Sequence, residues 1–432
     1  MATSKDKGKS EKPDKPAEPK KAAAGGASDA KLPNGDSTRA DDLASSLFVK
    51  AGAVGVAGLA AAVVLGTMEN DSLKRFSFAY LTAYMWALAI CLGGVFWVTL
   101  QHLVNAKWSV GIRRLGELFA MTVPVLAVLA LPIVVPIFMG NDIVYIWANH
   151  ETMEANHHLH GKAAYLNPQF FLIRFVFYFG FWTLLVRYFH KQSLEQDKSG
   201  AAELVGRMKV VAGPGMIVFA LTLTFCAIDL IMALDPFWFS TIFGVYYFAS
   251  CVLGVHAALV LTIVYLQKNG KLLKSFTTEH RHDLGKMMFA FTVFWAYIGF
   301  SQFMLIWYAN LPEETLWFKE RFKNGWGDLS WALLVCHFVI PFFGLLSRHV
   351  KRNKKALSFW AFWVLAEIYL DMYWLVMPNL KTEDPPFALI DVACWVGMAG
   401  VLVAAVAHLA KNKSLVPLKD PRLARSLAFE NL

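Results

Sequence analysis

Ten long apolar runs divide this 432-residue chain, and they decide what it can fold into. They extend from about Leu47 to Thr67, Phe76 to Val104, Gly116 to Phe138, Gln169 to Phe189, Val210 to Met232, Thr241 to Leu266, Met287 to Tyr308, Leu329 to Leu346, Leu357 to Val376 and Phe387 to Leu409. Each is close to or above roughly 18 residues, the length a helix needs to cross about 30 Å of hydrocarbon. In that layer every backbone polar group must be bonded within the protein, which favours helices. The expected fold is an all-α integral membrane protein of about ten transmembrane helices. With 56% hydrophobic and only 17% charged residues, the composition is far too apolar for an ordinary soluble domain.

A net charge of +9 could point to nucleic acid, so the placement of the cations matters. Lys and Arg crowd the stretch before Lys50 and the segments Lys107 to Arg114, Arg187 to Lys209, Lys268 to Lys286, Arg348 to Lys355 and Lys411 to Arg425. The alternate loops hold fewer of them; Gly140 to Pro168 has only Lys162. That alternation is the positive-inside pattern of a membrane protein, not a nucleic-acid footprint, and it puts both termini in the cytoplasm. Residues 1–46, rich in Lys, Pro, Ala and Gly, are expected to be a disordered cytoplasmic tail, 47–410 the transmembrane domain and 411–432 a second cytoplasmic tail. The first segment lacks the apolar core of a signal peptide. Cys91, Cys226, Cys251, Cys336 and Cys394 fall inside the runs without the paired spacing of zinc, iron–sulfur or haem-attachment motifs.

An internal repeat of four helices is visible, about 76–236 and 239–378. FSFAYLTAY at Phe76 matches FSTIFGVYY at Phe239, RLGELF at Arg114 matches DLGKMM at Asp283, and LLVRYFHK at Leu184 matches LLSRHVKR at Leu345. Asp229 and Asp371 each stand seven residues before a proline, Pro236 and Pro378. The expected architecture is two four-helix bundles, spans two to five and six to nine, with one helix added at each end.

An ionisable group inside a bilayer costs on the order of 3 kcal/mol, so it is paired, hydrated or functional. Asp229 and Asp371 lie in the outer halves of spans five and nine, and Glu367 precedes Asp371 by one turn. Two carboxylates on one buried face repel when both are ionised, so one of them is expected to exchange a proton near neutrality; a hydrogen-bonded pair that fixes helix packing is the competing account. His102, His256 and His337 are further candidate proton carriers or helix-bonding groups. Bis-histidine haem needs facing pairs, and no span carries two mid-membrane histidines. In span seven Tyr297, Ser301 and Tyr308 share a face, with Gln302 and Asn310 beside it and Glu313 and Glu314 beyond. They form a candidate hydroxyl ladder for water. The 34 Phe and 15 Trp suit the flat ring of a quinone, and packing and interfacial belts call for the same residues. His150, His157, His158 and His160 could ligate zinc, but their spacing is that of no known site, so a solvated loop is expected.

The strings DPFWFSTIFGVYYF from Asp235, HDLGKMMFAF from His282, FWAYIGFSQFMLIWYANLPEET from Phe294 and GKAAYLNPQFFLIR from Gly161 resemble the F subunits of bacterial alternative complex III (ActF), within the wider group of NrfD or polysulfide-reductase-type membrane subunits. The resemblance covers roughly Leu47 to Leu409 and implies two four-helix bundles. It implies a place in the electron-transport chain of the bacterial inner membrane, in a quinol:electron-acceptor oxidoreductase complex that passes electrons to cytochrome c or an oxidase. The implied partners are a homologous quinol-binding membrane subunit, an iron–sulfur subunit and multihaem cytochrome c subunits, which hold the haem and iron–sulfur clusters. This chain would then carry no covalent cofactor and would conduct protons, bind quinone, or both. The polar candidates the resemblance covers are Asp229, Asp235, Asp283, Ser301, Gln302 and Tyr308. His256, His337, Glu367 and Asp371 rest on burial alone. A secondary transporter and a purely structural anchor of the complex are the alternative readings, the first because repeats and buried charges also mark transporters.

Overall fold

The computed structural model of the protein describes residues 32, 35–69 and 73–430. Among these the regular structure is helical, with no β-strand, and ten helices are long and apolar enough to cross a membrane. We number them α1 (Asp41–Met68), α2 (Lys74–Leu103), α3 (Val110–Phe138), α4 (Pro168–Ser199), α5 (Glu203–Leu234), α6 (Phe243–Lys268), α7 (Thr278–Ala309), α8 (Asn324–Leu346), α9 (Lys354–Leu380) and α10 (Leu389–Ala410). Their number and order are those expected from the apolar runs. An even number of crossings puts both termini on one face, called here the terminal face.

Several helices outlast their apolar runs, because hydropathy marks depth in hydrocarbon while capping and ion pairs set where a helix stops. α1 begins at Asp41, so the boundary expected at residue 46 falls inside it; Asp41 and Asp42 occupy its first turn, where free amides favour acids. The expectation of disorder for residues 1–31 lies outside the described residues. α7 starts at Thr278, nine residues before its apolar run, capped by the Thr277 hydroxyl and the His280 side chain.

α2 is central. Of its apolar stretch 94% is buried, against 17% for α1. It packs on α3, α5, α6, α9 and α10, and α6 in turn packs on α5, α7 and α9. α3 meets α4 and α4 meets α5, while α8 lies between α7 and α9. Two helices are broken. Pro124 and Pro132 stand at the breaks that divide α3 into Val110–Ala120, Val123–Leu129 and Leu131–Phe138. α8 widens to a π-helix over Leu334–Val339. Pro341, four residues after His337, has no N–H for the His337 carbonyl, and a π-turn is one way to absorb that loss.

α1 packs almost wholly on α10 through small residues. A Cβ added to Gly58 would stand 2.7 Å from the Cα of Gly397, and one added to Gly400 would stand 2.5 Å from the amide nitrogen of Gly55. Such backbone proximity supplies the dispersion contact that holds helices together in lipid. Gly58→Val is expected to destabilise the protein by about 1–3 kcal/mol through overpacking, read as a lowered thermal midpoint in detergent.

Residues 411–429 turn back across the terminal face. Asp420 accepts from Arg113 of α3 at 2.9 Å and from Arg422 at 2.7 and 2.9 Å. Ser426 Oγ accepts from the Gly111 amide at 3.0 Å, and Asp197 of α4 binds Arg114 and the Leu418 amide. The Leu415 amide donates to the Thr38 carbonyl at 2.7 Å, tying the two terminal segments together. Burial alone would raise the Asp420 pKa, but the Arg422 hydrogen bond and the Arg113 charge outweigh it and hold the carboxyl well below the usual carboxylate range. A depressed folded-state pKa adds stability that is complete above the unfolded value of about 3.9 and is lost as pH falls toward the folded one. Pepsin is therefore expected to cut within residues 411–429 only as pH drops below about 4, and Asp420→Asn is expected to make the segment susceptible to proteases at neutral pH.

Candidate functional site around Asp371

Asp371 stands on α9 one and a half turns before Val376, fully buried at 0% exposure. Its carboxylate accepts from the Tyr246 hydroxyl at 2.5 Å and the Ser250 hydroxyl at 3.1 Å, both on α6, and from the Trp295 indole N–H at 3.1 Å on α7. Tyr246 and Ser250 are four residues apart, so α6 presents both from one face. All three donors are neutral, and among the described residues no basic side chain pairs with Asp371. Hydrogen bonds hold the carboxylate in place without cancelling its charge.

Asp229, which like Asp371 stands seven residues before a proline, has the opposite environment. Arg174 of α4 grips it with two bonds of 2.9 Å and Tyr178 donates at 3.0 Å. The guanidinium also stacks 3.8 Å from the Tyr165 ring centroid. A forked, buried pair of this kind fixes α4 to α5 and commits the carboxylate to a cation. Arg174 was legible in principle, since an arginine in the run FFLIRFVF carries the same burial cost that singled out the acids.

The other candidates sort around Asp371. His337, in the π-helical turn, is buried with its ring stacked on Trp295 at 3.9 Å and 6°, and neither of its ring nitrogens has a hydrogen-bond partner among the described residues. Glu367 lies one turn from Asp371 on α9, half-buried, with Oε2 buried and unpartnered. Three groups able to hold a proton thus gather around one tryptophan and one turn of α9. His256 sits six residues past Ser250, about 9 Å along α6 toward the terminal face. Its Nδ1 is 2.6 Å from the Val252 carbonyl and its Nε2 is unpartnered. His102 is deeper on the terminal side, stacked on Phe189 at 4.8 Å.

The hydroxyl ladder is not built. Tyr297 and Tyr308 are 63% and 83% exposed, and Ser301 donates to the Tyr297 carbonyl of its own helix at 2.7 Å. The buried stripe of α7 runs through Thr292, Trp295, Gln302 and Ile306, so the hydroxyl face turns outward. Asp283 pairs with Lys286 near the start of α7, twelve residues from Trp295. Asp235 caps the turn after α5 by accepting from the Phe237 amide at 3.2 Å. The histidines of the outer loop are spread on the surface, His150 standing 3.6 Å from Glu154.

Next to Asp371, between α7 and α8, opens an apolar cavity of about 380 Å³ whose wall includes Tyr246, Trp295, Gln302, Phe318 and Trp374. Phe300 and Trp331 line its mouth and remain 62% and 63% exposed, so it opens on the lateral surface of the helices. Gln302 Oε1 accepts from Ser240 at 2.9 Å, which leaves its Nε2 with no partner among the described residues. The cavity therefore has aromatic walls, the free amide donor of Gln302 and, in Tyr246, a lining side chain whose hydroxyl is bonded to a buried carboxylate. A flat apolar ring bearing oxygen substituents fits that set of groups. Tyr246, Ser250 and Trp295 carry no sequence signal of their own, being an ordinary tyrosine, serine and tryptophan in apolar helices.

Set against protein-family models and against curated proteins, the sequence matches none.

Proposed function

We propose that this chain is a membrane subunit of a quinol-oxidising electron-transfer complex, in which α6–α9 take protons from a quinol held in the cavity beside Tyr246. The observation that carries the reading is the buried, uncompensated Asp371 behind the wall of a laterally open cavity. A quinol reaches such a cavity from the bilayer. Oxidation of a quinol to its quinone releases two protons and two electrons. As one hydroxyl gives its proton to Tyr246, Tyr246 passes its own to Asp371. Once Asp371 has handed that proton to Glu367, the next carboxylate along α9, the same route takes the second. The electrons would pass to metal centres held by partner subunits, as the resemblance to alternative complex III implies.

In the same reading α2–α5 and α6–α9 are two four-helix bundles descended from one duplicated unit. Each set has neighbours that close on themselves, α2–α3–α4–α5 back to α2 and α6–α7–α8–α9 back to α6. The copies have diverged in charge: Arg174 locks Asp229 in the first, and nothing comparable holds Asp371 in the second. The terminal face, where the cations cluster, is the cytoplasmic one of a bacterial inner membrane.

Two measurements bear on this. Gentle detergent extraction should recover the chain with iron–sulfur and multihaem partners; recovery as a lone species would sink the reading. Gln302→Ala removes the free amide donor and is expected to raise KM for quinol about tenfold, one hydrogen bond's worth, with a smaller change in kcat.

A further inference from the structure

A second cavity, of about 230 Å³, lies at the terminal-face ends of α1, α3, α6 and α10, remote from Asp371. Ala44 and Leu47 of α1, Leu118 of α3 and Ala407 of α10 line it, and its only polar side chains are those of Thr262 and Tyr265. The Thr262 hydroxyl is already donated to the Ala258 carbonyl at 2.8 Å. Tyr265 and Val403 are 38% and 39% exposed, so the cavity opens sideways, at the level where the bilayer meets the terminal face. Leu415, in the segment tied to Thr38, also lines it.

Each of three helices framing the cavity sets a lysine within one turn of a lining residue. Lys50 follows Leu47 by three, Lys268 follows Tyr265 by three, and Lys411 follows Ala410 directly. None of the three makes an ion pair among the described residues. Lys411 lies over the Phe48 ring at 4.2 Å, and Phe48 meets His408 at 5.3 Å, so α1 and α10 are level here and Lys50 is only a turn or two farther in. A lysine stem spans that depth by snorkelling. An apolar recess with a triad of unpaired cations at its rim has the shape and charge of one kind of molecule present in the bilayer.

We propose that this cavity is a binding site for an anionic phospholipid, one acyl chain filling the recess and the headgroup held by Lys50, Lys268 and Lys411. The N-terminal residues 1–31 are a poor occupant, since they contain no apolar stretch to bury. A bound chain would brace α1, whose other contacts are nearly all with α10. Cationic pockets between helices on the positive face recognise lipid headgroups by this chemistry.

The test uses the full chain in nanodiscs of phosphatidylcholine with a minor share of phosphatidylglycerol, followed by native mass spectrometry. The wild type is expected to retain one phosphatidylglycerol. Ala407→Trp and, independently, Val403→Trp at the mouth should cut retention at least tenfold with helix content preserved and a thermal midpoint no lower than that of the wild type stripped of phosphatidylglycerol. Joint replacement of Lys50, Lys268 and Lys411 by Gln should abolish the preference for phosphatidylglycerol over phosphatidylcholine, with about a fivefold loss per charge. Equal retention in the tryptophan variants, equal retention of the two lipids by the wild type, or a second copy of the chain in place of lipid would each overturn the proposal. None of these readouts depends on quinol turnover, so they stand or fall apart from the function proposed for Asp371.

Discussion

Asp371→Asn is expected to lower quinol-dependent electron transfer roughly a hundredfold or more, the usual penalty for losing a positioned proton carrier, while the complex still assembles. Asparagine keeps the size of the side chain and its carbonyl oxygen can still accept from Tyr246 or Ser250. What it cannot do is take up a proton. Spectroscopic counting of haem per chain in the purified complex checks assembly, and turnover with a soluble quinol checks function. Normal turnover in an assembled complex would remove Asp371 from the proton path, and loss of assembly would make it a structural group. The conservative Asp371→Glu should recover part of the rate, because a carboxylate is restored one methylene out of place.

The largest effect on stability is expected at the other acid. Arg174→Met leaves Asp229 buried and charged without its cation, and Asp229→Leu leaves the guanidinium in the same position; either change should cost about 3–5 kcal/mol. The double variant removes both charges and should return most of that loss, since two apolar side chains can fill the space at little cost. A double-mutant cycle on the thermal or denaturant midpoint measures the coupling. If the double variant is as unstable as the sum of the singles, the pair does not act as a unit. The same cycle on Asp371 and Trp295 should show a far smaller coupling, because no opposite charge is released there.

How far the sequence reaches depends on what kind of physics a feature obeys. Crossing a bilayer is a matter of length and apolarity, both local properties, so all ten helices and their order were legible. The polar ends were not: α3 from Val110 and α7 from Thr278 are held by ion pairs and caps that hydropathy does not register. The cost of burying charge is local as well, which is why Asp229, Asp371, Glu367 and His337 stand out in the bare sequence. Whether such a group is neutralised is not local. Asp229 is answered by Arg174 fifty-five residues away, and Asp371 by Tyr246 at a separation of 125, so the difference between a locked and a free carboxylate appears only once the helices are packed. Span seven shows the reverse error. Tyr297, Ser301 and Tyr308 do share a face, yet periodicity cannot say which face is inside, and Trp295 and Gln302 won it.

The pairing of α1 with α10 also bears on how the chain is made. Of the ten helices α1 is made before the others and α10 after them, and α1 finds few contacts on anything made between the two. Loop closure across so long a separation is slow and cannot begin before Leu389 is synthesised. The first helix therefore waits in the bilayer, its Gly52, Gly55 and Gly58 seam bare, until the final hairpin arrives and the terminal segments join at Thr38 and Leu415. Docking of α1 therefore follows the packing of the helices between, and a chain that stops short of α10 leaves α1 open to proteolysis and to wrong partners.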